Sequence, residues 1–203
     1  MAGATKTAAD LGAWGVVEDE SGHGAPGRRK GRTGGRRGRP PVVRVTAQNS
    51  PRRSVAALLA VQPGHRPRLI YRTHRARRGR REARRTGCTE ADYLPLLDAA
   101  HRQLGGPIVL VWNNLTTHVS AAMTELIAAR PWLTVVQLPP YAHELNPVQP
   151  VWSHLKRSPA NPTKHTIAEL TVLVKTRLKP MQYRPGLLVG FLTSTGLQFG
   201  PFL

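Results

Sequence analysis

Two short apolar runs, "PIVLVWNN" at 107–114 and "LTVVQLPP" at 133–140, flank one helical pattern, "SAAMTELIAARP" at 120–131. No other feature constrains the fold as much. The first run carries five consecutive apolar residues and reads as a strand buried on both faces. In the middle segment Met123, Leu126 and Ile127 share one side of a helix. The second run is a strand that two prolines end. Strand, helix, strand at this spacing defines a βαβ unit with parallel strands.

The segments before it have a different rhythm. "AWGVVED" at 13–19 reads as a strand ending in acids. "VVRVTA" at 42–47, "SVAALLAV" at 54–61 and "RPRLIYRTH" at 66–74 read as strands of an antiparallel meander. A helix follows from Thr89, with Asp92 three residues on as a variant capping box, and Leu94, Leu97, His101 and Leu104 on one face. The tail holds a further helix at about 166–179, "TIAELTVLVKTRLK". Strands first and alternation later predict an α/β fold, a mixed sheet flanked by helices, with chemistry outside the carboxyl ends of the parallel strands. The domain is expected over 11–203, after a short N-terminal tail at 1–10.

Charge narrows the partner. The 203 residues carry a formal charge of +19, which fits a polyanion, with nucleic acid first among candidates. "SGHGAPGRRKGRTGGRRGRPP" at 21–41 is rich in Gly, Arg and Pro and is read as a flexible basic insert. "RARRGRREARR" at 75–85 is either a solvated loop or a phosphate-contacting one. Arg28, Arg29, Lys30, Arg36, Arg37, Arg77, Arg78, Arg80, Arg81 and Lys156 are the candidate DNA contacts. Cys88 is the single cysteine, which excludes an intrachain disulfide and a cysteine-rich zinc site. No apolar run reaches the length of a membrane span, and the N-terminus has no signal-peptide core. The expected location is the cytoplasm, on the nucleoid where DNA is bound.

Three positions converge on one end of such a sheet. On the first strand, Glu18 and Glu20 share one face and Asp19 takes the other, in line with Val17. Asn113 closes the strand at 107–114 on the face of Val109 and Val111; turn chemistry alone would also explain it. In "LPPYAHELNPVQPVWSHLK", Asn146 suits an N-cap and Pro147 the first helical position. Val148, Val151, Trp152 and Leu155 then form an apolar face with Gln149 at its edge. Gln149 there could be no more than a capping group. His118 and His154 are read as surface or supporting groups.

"VVEDESG", "PIVLVWNNLTTH", "LPPYAHELNPVQPVWSHLK" and "KTRLKPMQYRPGLLVGFL" resemble the DDE catalytic domain of IS630/Tc1-mariner-type transposases, from about residue 11 to the end. The resemblance implies a ribonuclease-H-like fold and a site of three acids holding two divalent ions, Mg or Mn. The family motifs read "DE", "WDN" and "NPVE". Asp19 stands at the first acid, as the metal ligand retained; Asn113 stands at the second and Gln149 at the third. His143 replaces the proline of "YAPELNP". Two ions about 3.5–4 Å apart need charged oxygen ligands, and amides bring no charge. Metal binding is therefore expected to be weak or lost, and Asp19→Ala to alter activity little. The helix-turn-helix domains that precede the catalytic domain in full family members are expected to be absent. The expected function is a transposase-derived domain, catalytically degenerate, that retains DNA binding. The alternatives are an active Mg-dependent transposase subunit, and a basic nucleic-acid-binding protein of another class. Self-association or association with a full-length transposase is a further expectation.

Overall fold

A computed structural model describes residues 2–24, 52–75, 88–139, 142–157 and 167–196. Its centre is a five-stranded sheet. Strand β1 (Trp14–Gly24) pairs antiparallel with β2 (Arg52–Val61), which pairs antiparallel with β3 (Arg68–Arg75). On its other side β1 runs parallel to β4 (Ile108–Trp112), and β4 runs parallel to β5 (Leu133–Gln137). The order is β3-β2-β1-β4-β5. The mixed sheet expected from the sequence is therefore present, with β1 where the antiparallel and parallel halves meet. The run at 42–47 lies outside the described residues.

Among the described residues there are six α-helices, α1 (Ala2–Asp10), α2 (Glu90–Leu104), α3 (Ala121–Ala128), α4 (Gln149–Arg157), α5 (Ile167–Gln182) and α6 (Pro185–Thr193), and one short 3-10 helix at His143–Leu145. Side-chain alternation along the strands divides the core in two. Val17, Leu59, Val109 and Val111 face one side, where α1, α4, α5 and α6 pack. Val16, Leu58, Leu110 and Trp112 face the other, where α2 and α3 pack. No helix among the described residues is long and apolar enough to cross a membrane.

Three sequence expectations need revision. Residues 2–10, read as a tail, form α1, and Ala4 and Ala8 are buried against the sheet. Strand β1 does not end at Asp19. Pairing with β2 carries it on to Gly24, with Glu20 opposite Ala56 and Gly22 opposite Ser54. Helix α2 is turned by about one residue: its buried stripe is Tyr93, Leu96, Leu97 and Ala100. Tyr93 leads that stripe because its hydroxyl finds Glu20 while its ring is buried. His101 instead stacks on Trp132, ring centroids 4.1 Å apart. The capping box at Thr89 is present, with the Thr89 N–H donating to Asp92 Oδ2 at 2.9 Å.

Candidate active site

The start of α4 is pinned to β1 by one residue. Asn146 Oδ1 accepts the Val148 N–H at 2.9 Å, the capping bond expected of it, and its Nδ2 donates to the Glu18 carbonyl at 2.9 Å. Val148, Val151, Trp152 and Leu155 are buried beneath, as their spacing predicts. With α4 held there, Gln149 and Trp152, one helical turn apart, both reach Asp19. Gln149 Nε2 and Trp152 Nε1 each donate to Asp19 Oδ2, at 2.8 Å in both cases. Asp19 is 3 % exposed. An ionised carboxylate so enclosed requires donors, and both of these are N–H groups.

Asn113 follows the end of β4. Val17 pairs with Val111, the last pair of the parallel ladder, and Asn113 lies two residues beyond it, just past the end of β4. Its Oδ1 accepts the Leu115 N–H at 3.3 Å, and its carbonyl accepts from His118 Nδ1 at 2.9 Å. The turn is further tied by Asn114 Nδ2, which donates to the Leu138 carbonyl at 3.1 Å. The structure thus joins Asp19 and Gln149 directly and brings Asn113 to the neighbouring strand end.

Glu18 and Glu20 point to the other face of the sheet, as alternation requires. Glu20 Oε2 accepts the Tyr93 hydroxyl at 3.1 Å and the Cys88 N–H at 2.8 Å. Glu18 is fully buried; burial above all, then the charges of Asp19 and Glu20, holds its carboxyl well above the usual range. His118 Nε2 lies 3.7 Å from Glu18 Oε2, and desolvation lowers the His118 pKa. Its ring stacks on Trp112 at 4.1 Å. His118 is therefore a buried support of the Asn113 turn, whereas His154 is exposed. Glu144 is exposed and lines an open groove between α4 and α6 together with Gln149 and Phe191.

Sequence reasoning missed Trp152 as a partner of Asp19. The available signal was its indole N–H one turn after Gln149, but its place in an apolar stripe hid it. The candidate DNA contacts Arg28, Arg29, Lys30, Arg36, Arg37, Arg77, Arg78, Arg80 and Arg81 lie outside the described residues, as does the side chain of Lys156.

A mixed five-stranded sheet of this order with helices on both faces has the architecture of a ribonuclease-H-like domain. Residues 16–171 match the family described as DDE superfamily endonuclease, and the chain belongs to that family. Among solved structures it is similar in fold to the Mos1 mariner paired-end complex with Mn (TM-score 0.59, 13% identity, covering 91% of this chain and 56% of that one). The Mos1 transposase paired-end complex with left transposon end gives TM-score 0.58, 13% identity and the same two coverages. The paired-end complex with Mg gives 0.54 at 14% identity, again covering 91% and 56%. The chain thus spans a little over half the length of those transposase chains. Comparison with curated protein sequences gives no match.

Proposed function

We propose that this chain is a transposase-derived DDE endonuclease-like domain that binds DNA and does not cut it. One observation carries the reading: Asp19 is met by the N–H groups of Gln149 and Trp152 where a metal-dependent nuclease needs further carboxylates. Asp19, Asn113 and Gln149 stand as equivalents of the three family acids, the last two as neutral amides. Solved family relatives are described with Mn and with Mg. Among the described residues no group of three or more His, Cys, Asp or Glu side chains is placed to hold a metal ion. On the chemistry of its donors, one carboxylate facing an amide suits a pair of divalent ions poorly. Their mutual repulsion would be offset by one carboxylate, and the facing amide presents its N–H rather than an oxygen.

DNA is the partner that the +19 charge supports, and the Mos1 paired-end complex holds a left transposon end. The test is nicking of supercoiled plasmid in Mn²⁺ by the natural protein and by Asn113→Asp/Gln149→Glu. The expected result is a silent natural protein and a double variant that nicks. Nicking by the natural protein that Asp19→Ala abolishes would overturn the reading.

A further inference from the structure

The misfit between Asp19 and a metal pair has a positive side. We propose that Asp19 serves here as a metal-independent clamp that fastens α4 to β1, with the Gln149 amide in the place of a cation. The inference rests on the reading of Gln149 as the replacement of an acid, but concerns stability rather than catalysis.

The chemistry follows from matched side-chain length. Gln and Glu place their terminal atoms alike. At 2.8 Å from Asp19 Oδ2, the amide Nε2 offers a hydrogen where a glutamate would offer a second negative oxygen. Two carboxylates at that separation cannot both ionise without a cation between them or a shared proton. With Gln149 the contact is a charge-assisted hydrogen bond. Trp152 Nε1 adds a second such bond to the same oxygen at 2.8 Å, from a side chain 2 % exposed. Beside them, Asn146 ties the helix start to the Glu18 carbonyl. These three contacts are N–H donors from the helix and its cap meeting oxygens of the strand. None of these three contacts calls for a metal.

Thermal melts of the full chain in EDTA, in Mg²⁺ and in Mn²⁺ test this. The natural protein is expected to melt at the same temperature in all three, within about 1 °C. Asp19→Ala should lower the melting temperature by roughly 3–10 °C in every buffer, because it strands two donors. Gln149→Glu should melt lower in EDTA and recover in Mn²⁺ in a saturable way. Adding Asp19→Ala to that variant should abolish the recovery, which locates the ion at the pair. If Gln149→Glu does not fold in any buffer, Trp152→Phe replaces it as the test: a loss of a few degrees with no metal response upholds the clamp. A natural protein stabilised by Mn²⁺ through Asp19 overturns the proposal. So does a Gln149→Glu or Trp152→Phe variant as stable in EDTA as the natural protein. These melts read stability alone, so a natural protein that fails to bind DNA would sink the functional reading and leave the clamp standing.

Discussion

Glu18 is the residue whose environment departs furthest from water. Neither of its carboxyl oxygens has a hydrogen-bond partner, and the residue is fully buried. Burial above all, then the charges of Asp19 and Glu20, favours a proton there, and His118 brings no positive charge to oppose it. Its Nδ1 must donate to the Asn113 carbonyl, which can only accept, so a neutral ring turns the Nε2 lone pair toward Glu18. The sign of the pH dependence follows. A carboxyl whose folded pKa lies above its unfolded value of about 4.3 binds more protons when folded. Stability then falls as pH rises from that value through the folded pKa. His118, with its folded pKa lowered, acts oppositely: stability rises with pH until the unfolded value of about 6.5 is passed. Above that point His118 adds no further change, and the Glu18 slope continues. Glu18→Gln removes it, so its unfolding free energy should exceed that of the natural protein at pH 8, with a margin that grows with pH by up to about 1.4 kcal/mol per pH unit. The margin should vanish near pH 4. A Glu18→Gln variant less stable than the natural protein at pH 8 would mean that the carboxyl is ionised and paired with a charged His118.

At the scale of elements, the docking of α4 is the step that makes a site, and Asn146 controls it. Asn146→Ala loses the cap and leaves the buried Glu18 carbonyl without its donor, a cost of about 1–3 kcal/mol. Asn146→Asp keeps the acceptor for the Val148 N–H but turns an oxygen toward that carbonyl, next to Asp19. It should therefore be the worse of the two at neutral pH, and urea midpoints would rank them. A midpoint for Asn146→Asp equal to the natural one would show that the Nδ2 bond contributes nothing. The element itself was legible: its cap and its buried stripe of Val148, Val151, Trp152 and Leu155 are local patterns, as are β4, α3 and β5. Other elements were not. Helix α1 buries only Ala4 and Ala8, too little apolar surface to write a periodic signal. The far half of β1, "EDESGHG", is polar and glycine-bearing, and is held as a strand by its ladder with β2. The contact of Trp152 with Asp19 spans 133 residues, beyond any local pattern.

On the scale of the whole molecule, charge and topology meet at one end of the sheet. Residues 25–50 hold eight basic side chains and no acid, and residues 76–87 hold six with one Glu. The first stretch leaves β1 at Gly24 and returns at β2; the second leaves β3 at Arg75. Gly24 pairs with Arg52 and Arg53 with Arg75, so all these chain ends lie together. That end lies beyond Asp19 along β1. The described strand ends that these stretches connect therefore lie at the Asp19 end of β1, and the stretches between them carry 14 of the 30 basic residues. If both stretches contact one DNA backbone, each phosphate neutralised contributes about 0.9 to the slope of log affinity against log salt. Replacing Arg28, Arg29, Lys30, Arg36 and Arg37 by Ala should lower that slope by up to about 4.5, and replacing Arg77, Arg78, Arg80 and Arg81 by up to about 3.6. Titrations of a labelled duplex over a range of salt would measure both. Reductions that add in the combined variant mean that one duplex spans the two stretches. A combined variant no weaker than the stronger single set means that they compete for the same phosphates. A slope that neither set changes would place the DNA on another surface, and a natural protein with no salt dependence would remove DNA as the partner.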